Sequence, residues 1–504
     1  MGRVPVRLAV AGAALLLAAP AVAYVCHPDP AGTRSLSVTG QVVAYRLQGT
    51  TVTLAVRSQS GCQVLVWRRG ARPGPSSAAC STVRPNRAPA SSARLVAARG
   101  ADRPDRLQVL GRDGRTVHSW PLPVAVRVDA LQVSRGLAAY RARNGIWVTA
   151  LASGRTTMVA PVRRGDVPLL NTNGLVYQDN TLKAAPRSTT TLKFVPTRAV
   201  RGELAQTGRG FRTGGPVRAL SVDGTQAAFA VGGANGCDRV MFWSIPWRSV
   251  FQVSQKAGPT CAPGTRSGRI TALALAGNRA EWITTHRGRP MLVAADGIGC
   301  QEWVIRRLSE LGPRTALGAL AGDGNTLVFS VENGPVTTVG RVTGPYRGRD
   351  LAGVPGAVRA LSADRWQIGA LTTGGTITLN SVHGFRRHVN VPGATSFAVR
   401  GSAVVATTRQ GRLAVVSLSG RRLHSWAIPA GASHVDVQYG IAIVTAGSSV
   451  YAVDVATGRT ARLAVATGLV GAQIEPVGVV YATTTARRGM IRLIPMSRVE
   501  TAVR

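Results

Sequence analysis

The sequence has few acidic residues and almost no lysine. It contains 22 Asp and Glu against 61 Lys and Arg, which gives a formal net charge of +39. Only Lys183, Lys193 and Lys256 are lysines, so arginine carries nearly all of the positive charge. So large a charge favours anionic partners. The arginines are spread along the chain and no nucleic-acid-binding motif accompanies them, so we expect no nucleic-acid partner.

Long hydrophobic runs are missing everywhere except at the N-terminus. Arg3 and Arg7 flank the start of an apolar stretch over 8–23, which ends in the cleavage-site pattern Ala21-Val22-Ala23. That stretch is 16 residues long, whereas a membrane-spanning helix needs about 20. We therefore predict a signal peptide at residues 1–23, a secreted, extracytoplasmic chain and no membrane span after cleavage. The alternative is an uncleaved anchor.

Motifs for known chemistry are also absent. There is no G-x-S-x-G, no H-E-x-x-H and no P-loop, and no Asp-x-Asp-x-Asp calcium loop. No cysteine pair has C-x-x-C spacing, which leaves little basis for thiol redox or zinc chemistry. The sequence therefore nominates no catalytic, cofactor-binding or metal-binding residue, and we expect no cofactor. Enzymes can assemble sites from distant residues, so catalysis stays an alternative.

Cysteine is scarce, but its number is even. An even count behind an export signal predicts disulfides. Loop closure is easiest between near neighbours, which favours two of the possible pairs and leaves the third pair to join distant parts of the chain. The predicted pairs are Cys62–Cys80, Cys237–Cys261 and Cys26–Cys300.

Two long phrases of the chain resemble each other. Gly114–Pro123 and Gly420–Pro429 each contain a Gly-Arg turn, a run with apolar residues at alternate positions and a closing Pro, which is typical of a hairpin strand. Weaker copies begin at Ser153 and Thr457. In each long copy a His precedes a Trp by two positions, so the two rings should share one side of the strand. We expect these histidines, His118 and His424, to be structural rather than catalytic or metal-binding.

A second phrase consists of a short strand, a Gly/Asp/Asn turn and another strand, often ending in an aromatic residue. It begins at Ala130, Ala219, Ala272, Ala319 and Ala360, and the last four starts lie 53, 47 and 41 residues apart (272−219, 319−272, 360−319). Blades of a β-propeller repeat roughly every 40 to 50 residues, whereas a β-solenoid, the main competitor, has shorter and more uniform repeats. The spacing therefore favours a propeller.

These patterns predict an all-β fold, a β-propeller of four-stranded antiparallel blades over residues 24–504. The recurring units number roughly ten or eleven, more than the usual 4 to 8 blades. We therefore expect seven or more blades, and either some units are half-blades, or the ring is unusually large, or there are two rings with a boundary near 208–216. A single closed ring would pair residues 36–56 with 477–494, because an unpaired edge strand is a liability. The Pro/Ser/Arg-rich segment 70–93 is predicted to be a surface loop.

One segment supports the propeller through a family resemblance. The run Ala452-Val-Asp454-Val-Ala-Thr457-Gly458 resembles the quinoprotein propeller repeat, although Arg462 stands where that repeat has Trp. More generally the chain is similar to secreted bacterial WD-like propellers. The resemblance implies the fold and the hairpin turns, and because of Arg462 it gives little reason to expect a quinone.

Five tryptophans lie in or beside the strand-like runs. Large aromatic side chains bury much area, so we expect them to pack between blades; the alternative is that some line a rim and stack on a sugar. The five residues are Trp67, Trp147, Trp243, Trp282 and Trp366.

Taken together, these features predict an exported, monomeric, non-catalytic binding or scaffolding propeller at the cell envelope. Its partner would be an anionic or saccharide envelope polymer, or a protein. The alternative is a hydrolase or lyase with a site on one face of the ring.

Overall fold

The structure is a computed structural model of the full chain. It describes residues 30–68, 71–85, 92–98, 104–123, 126–142, 145–160, 168–179, 189–206, 210–233, 238–245, 249–252, 268–277, 279–286, 289–296, 306–307, 316–324, 326–333, 335–343, 347–364, 367–381 and 386–504. The predicted signal peptide therefore lies outside the described residues, as do Cys26, Cys237, Cys261, Cys300 and Trp366. Within these ranges no helix has the length and apolar character needed to cross a bilayer.

The first part of the chain forms four antiparallel sheets. Sheet 1 contains β2 to β5, sheet 2 contains β6 to β8, sheet 3 contains β9 to β12, and sheet 4 joins β13 to β15 with β1. A short 3-10 turn at Cys80–Thr82 precedes sheet 2. The strands are β1 Arg34–Thr39, β2 Gln41–Gln48, β3 Thr51–Ser58, β4 Gly61–Arg68, β5 Gly74–Ser76, β6 Ala93–Val96, β7 Arg106–Leu110, β8 Thr116–Pro121, β9 Val126–Ser134, β10 Leu137–Ala142, β11 Gly145–Ala150, β12 Thr156–Ala160, β13 Leu169–Leu170, β14 Gly174–Asp179 and β15 Thr189–Pro196.

After helix α1, Thr197–Gln206, the second part forms seven four-stranded antiparallel sheets. Sheets 5 to 10 each take four consecutive strands from β17 to β40, and sheet 11 joins β41 to β43 with β16. Helix α2, Met496–Val503, ends the chain. The strands are β16 Phe211–Thr213, β17 Val217–Asp223, β18 Gln226–Gly232, β19 Asp238–Ser244, β20 Ser249–Gln252, β21 Ile270–Ala276, β22 Arg279–His286, β23 Arg289–Asp296, β24 Arg306–Arg307, β25 Ala316–Asp323, β26 Thr326–Asn333, β27 Val336–Thr343, β28 Arg347–Pro355, β29 Val358–Asp364, β30 Gln367–Thr372, β31 Thr376–Ser381, β32 Arg386–Asn390, β33 Ala394–Arg400, β34 Ala403–Thr408, β35 Arg412–Ser417, β36 Arg422–Ala427, β37 Ala432–Gln438, β38 Ile441–Ala446, β39 Ser449–Asp454, β40 Thr460–Val465, β41 Leu469–Glu475, β42 Gly478–Thr484 and β43 Gly489–Pro495.

Sheets 5 to 11 close on themselves. The first strand of each sheet lies against the first strand of the next, from β17 through β21, β25, β29, β33 and β37 to β41, and β41 lies against β17. Seven small sheets arranged in such a cycle are the blades of a β-propeller. The predicted fold class, an all-β propeller of four-stranded antiparallel blades, is confirmed.

The blade cores lie between neighbouring sheets, as the alternation along the strands predicts. In β34, Val404 and Ala406 pack against sheet 8, whereas Val405 between them packs against sheet 10. Each blade thus buries both faces, which a single four-stranded sheet could not do alone. The four described members of the predicted set of five tryptophans follow the same rule, since Trp67, Trp147, Trp243 and Trp282 are all buried, as expected.

The strand that begins each part of the chain completes a sheet formed later. β1 pairs with β15, and β16 pairs with β43, where Phe211 lies opposite Ile491. The predicted pairing of residues 36–56 with 477–494 is therefore wrong. The C-terminal strand β43 pairs instead with β16 of the seven-sheet ring. β16 lies in the segment 208–216, the possible boundary between two rings.

The predicted loop 70–93 is only partly a loop. Gly74–Ser76 forms the fourth strand of sheet 1, pairing with β4. The predicted disulfide Cys62–Cys80 is present and ties the 3-10 turn that follows this strand back to β4. The loop prediction missed β5 because three residues with Pro at the centre carry no period-2 signal.

Each part of the chain ends in a Pro followed by a helix. Pro196 precedes α1 and Pro495 precedes α2, and each helix buries a Val in its first turn, Val200 and Val499. Proline favours the start of a helix because its missing N–H needs no partner there. α1 packs on sheets 3 and 4, and α2 packs on sheets 10 and 11 and also touches β8.

Helix α2 joins the two parts of the chain through an ion pair. Both guanidinium ends of Arg106 on β7 donate to Glu500 of α2, at 3.1 Å and 2.8 Å. The carboxyl of Glu500 is nearly buried, and Arg504 donates to the same group at 2.6 Å. Tyr439 and Ile441 of sheet 10 line a cavity of about 550 Å³ beside this pair.

Candidate functional site

The first strands of sheets 5 to 11 all end at one side of the ring, which we call the lower rim; they begin at the upper rim. Because these strands neighbour one another around the axis, their last side chains meet close to it. All but Ala276 are polar. We call the polar set the axial cluster, and it consists of Asp223, Asp323, Asp364, Arg400, Gln438 and Glu475.

Arg400 lies at the centre of the axial cluster. Its Nη1 is 2.6 Å from Asp323 and 3.8 Å from Asp364, and its Nη2 is 3.5 Å from Glu475. Its Nε donates to Gln438 at 2.6 Å. One guanidinium therefore bridges four blades. Burial opposes its charge, but the charges of Glu475, Asp323 and Asp436 together outweigh burial and raise the pKa of Arg400.

Asp223 is held by the turns of the next two blades. The backbone N–H groups of Gly277 and Gly324 donate to its carboxylate. Burial, helped by the nearby charge of Asp323, nevertheless raises the pKa of Asp223 to about 6, although the two hydrogen bonds oppose the shift. This carboxyl therefore changes charge in mildly acidic solution.

The other buried carboxyls shift in the same direction. Burial raises the pKa of Asp323, against the attraction of Arg400, and raises that of Glu475 well above its ordinary value. A cluster with several carboxyls and one arginine cannot hold every charge in a medium of low polarity. The buried carboxyls of this cluster are therefore harder to ionise than carboxyls exposed to solvent.

Within the described residues, three carboxyls could hold a metal ion. Asp223, Asp323 and Glu475 place one oxygen each within 4.8 Å of one another. Carboxylate oxygens suit calcium or magnesium. Arg400 already contacts Asp323 and Glu475, so its positive charge balances much of the negative charge that would attract a cation.

A ladder of side chains holds the first strands in place. Each first strand pairs with its own second strand on one edge, so N–H groups on the other edge need different acceptors. The hydroxyl of Ser221 accepts from Leu275 at 2.9 Å, and that of Ser362 accepts from Val399 at 3.0 Å. Gln473 accepts from Val222 at 2.6 Å and so links sheet 11 to sheet 5.

His434 lies on the same side of β37 as Asp436 and Gln438. His434 and Asp436 are two residues apart, and burial lowers the pKa of His434 against the pull of Asp436. Asp436 accepts backbone N–H bonds from Val437 and Ile474, both at 2.9 Å. Its carboxylate thus forms a structural hydrogen bond that links sheet 10 to sheet 11.

The repeated His and Trp pairs have the same geometry in both parts of the chain. His118 stacks on Trp120 with ring centroids 5.3 Å apart, and His424 stacks on Trp426 at 5.4 Å. Each pair therefore shares one side of its strand, as predicted. The indoles donate to backbone carbonyls of the following sheet, at 2.8 Å and 2.9 Å, so the four residues form structural contacts.

The charges are strongly segregated between interior and surface. Among residues whose exposure the structure describes, Asp113 is the only exposed acidic residue. Asp238, Glu281, Glu475 and Glu500 are buried. Exposed arginines occur on both rims and on the outer strands of the ring. The solvent-facing surface of the described chain is therefore more cationic than the net charge alone indicates.

Sequence reasoning nominated no member of the axial cluster. A signal was present for three of them, since the second repeated phrase carries Asp at the same place in Asp223, Asp323 and Asp364. Arg400 and Glu475 hold that place in later blades, where the sequence departs further from the phrase. Their convergence depends on ring closure, which no local pattern reveals.

Comparison with known proteins adds little beyond this geometry. No protein-family profile matches the chain, and no curated protein matches it. Among solved structures, it is similar to the β-propeller domain of Cps50 (Swd1) from Myceliophteria thermophila, with 11% identity, 57% of this chain and 98% of that chain covered, and a TM-score of 0.42. It is also similar to YCF48 bound to D1 peptide, with 10% identity, 57% and 97% coverage, and a TM-score of 0.42.

A third similar structure is apo AztD from Citrobacter koseri, with 13% identity, 73% of this chain and 93% of that chain covered, and a TM-score of 0.34. The chain has the repeat architecture of β-propeller proteins, as the closed cycle of sheets 5 to 11 shows.

Proposed function

We propose that this protein is an exported, non-catalytic binding or scaffolding propeller of the cell envelope that holds an anionic polymer. The observation that carries the proposal is the charge segregation: arginines face solvent, whereas Asp113 alone among the acidic residues of described exposure does so. Such a surface attracts polyanions over roughly a Debye length, about 8 to 10 Å at physiological salt.

The export signal and the disulfide support an extracytoplasmic location. Residues 1–23 have the three parts of a signal peptide. The Cys62–Cys80 bridge is stable in an oxidising compartment and rare in the cytosol. An anionic polymer of the cell wall fits both the extracytoplasmic location and the positive surface charge.

We further infer that the chain divides into two propeller units near the segment 208–216 that the sequence offered as a boundary, and that it acts as a monomer. Support comes from the strand pairing, since each part contains the strand that completes its own last sheet. Each part also ends in a Pro and a helix.

The proposal is tested by retention on purified cell wall. The mature protein is incubated with wall fragments at rising salt, and the bound fraction is measured. We expect strong retention at low salt that falls as salt screens the charges. Retention that does not change with salt would remove the electrostatic basis, and absence of retention at low salt would remove the envelope partner.

A second candidate is a hydrolase or lyase at the lower rim. The observation in its favour is the axial cluster, where a carboxyl with a pKa of about 6, Asp223, lies among others with raised pKa values. Shifted carboxyls are common in acid–base catalysis. The test is release of new chain ends from wall polymers, compared between the wild type and Asp223→Asn; loss of the activity in the variant would favour this candidate.

A further inference from the structure

A cleft of about 730 Å³ opens at the upper rim of the ring, between sheets 11, 5 and 6. It is lined by the segments 216–218 and 269–271, where the first strands of sheets 5 and 6 begin, and by 484–486, where β42 ends. Within the described part of the chain, none of the lining residues is acidic. Its size lies in the range of ligand sites.

One wall of the cleft carries a pre-positioned arginine. The Nε of Arg218 donates to Asp238 at 2.7 Å, and the carboxyl of Asp238 is fully buried. Asp238 also accepts from the backbone N–H of Ile270 at 2.7 Å, so it fixes the arginine and the facing strand together. Because that bond uses Nε, no hydrogen bond among the described residues engages the two terminal nitrogens of Arg218, which can donate to a ligand.

The other walls add more positive charge. Arg269 is exposed and lies immediately before β21. The lining residue Thr485 closes a tight turn with Arg488, its N–H donating to that residue's carbonyl at 2.7 Å, and this turn also carries Arg487. Arg487 and Arg488 are both exposed. Four arginines thus belong to the cleft or to the turn that borders it, and Asp238 offsets only one.

The two rims of the ring differ in charge near the axis. The lower rim collects the carboxyls of the axial cluster around Arg400. The upper rim also carries Arg359, which repeats the position of Arg218 in the matching segments 358–364 and 217–223. Near the axis, the upper rim therefore offers a polyanion arginines without the group of carboxyls that lies at the lower rim.

We propose that the upper-rim cleft is the site at which this protein binds a linear polyanion, with the oxyanions of successive units held by Arg218, Arg269 and Arg488. Arginine suits phosphate and carboxylate groups because its planar fork donates two parallel hydrogen bonds. The inference depends on the proposed function, since it names the place where the anionic polymer is held.

The test compares two double variants of equal charge. Arg269→Glu with Arg488→Glu alters the cleft, and Arg421→Glu with Arg422→Glu alters exposed arginines at the lower rim. Affinity is measured by calorimetry for linear polyphosphate and for polygalacturonate, with neutral dextran as the control polymer; circular dichroism checks that both variants fold. The two anionic polymers separate phosphate from carboxylate as the preferred group.

The cleft variant should bind about tenfold or more weakly, which corresponds to about 1.4 kcal/mol, while the lower-rim variant should change little. Equal losses in both variants would overturn the cleft as the site and leave the general electrostatic proposal standing. Failure of the wild type to bind either anionic polymer would overturn the proposed function itself.

Discussion

The indole of Trp426 lies flat against Gly458 in the turn between β39 and β40. A methyl group on Gly458 would approach Cδ2 of Trp426 to 2.5 Å, and the glycine has a φ of +77°. Trp120 and Gly154 repeat the arrangement in the first part of the chain, with a closest approach of 2.6 Å and a φ of +65°. In each contact a long copy of the first repeated phrase supplies the Trp, and a weaker copy in the next blade supplies the Gly.

This contact predicts a large effect of Gly458→Ala. The new methyl group would both displace the indole and strain the backbone, which together cost about 2 to 4 kcal/mol of the free energy of unfolding. Gly447→Ala is the matched control, because Gly447 has a φ of +56° and nothing within 4 Å of an added methyl. Urea unfolding followed by tryptophan fluorescence measures both; equal effects would show that the indole contact adds nothing.

Replacing Arg400 removes the positive charge of the axial cluster. We expect Arg400→Met to lower the free energy of unfolding by about 3 to 5 kcal/mol at pH 8, because buried carboxylates lose their partner. The loss should shrink as pH falls, because protonation neutralises the carboxylates that the arginine no longer balances. Arg409→Met makes the same change at an exposed turn of sheet 9 and should have almost no effect. A loss independent of pH would contradict this electrostatic role.

Asp223 should make stability fall as pH rises. Its folded-state pKa of about 6 lies above the value of about 4 for an unfolded Asp, so its contribution is complete below pH 4 and is lost as pH rises through 6. Asp223→Asn should therefore gain up to about 3 kcal/mol relative to the wild type between pH 4 and pH 8. Calorimetric melting across this range measures the gain, with exposed Asp113→Asn as control. A constant difference would show that the group does not titrate there.

The ion pair between Arg106 and Glu500 should couple the two parts of the chain. Glu500→Gln leaves the guanidinium without its charged acceptor and should cost about 2 to 3 kcal/mol. A double-mutant cycle with Arg106→Met isolates the pair, and Arg504→Met, whose side chain is 62% exposed, should cost under about 1 kcal/mol. Simple additivity of the first two changes would mean that the pair contributes no coupling.

Much of the fold follows from the sequence. The phrases beginning at Ala219, Ala272, Ala319 and Ala360 form the first hairpins of sheets 5 to 8, because period-2 alternation and Gly-containing turns are local signals. The pairing of Cys62 with Cys80 was predictable for a similar reason, since short loops close easily.

The candidate sites were not predictable in the same way. Arg400 contacts Asp323 and Glu475 only because seven sheets close into a ring. The sequence alone does not show which blades become neighbours. Likewise β16 is three residues long and is defined by its distant partner β43 rather than by its own pattern. Arg218 and Arg269 come together through Asp238, whose role as an anchor depends on burial.

The central claim is that this protein holds an anionic polymer through its arginines without cleaving it. The most direct measurement incubates the protein with purified wall polymer, determines binding at low and high salt, and then determines the chain length of the recovered polymer. We predict binding that weakens steeply with salt and a polymer of unchanged length. Binding indifferent to salt, or a shortened polymer, would contradict the account.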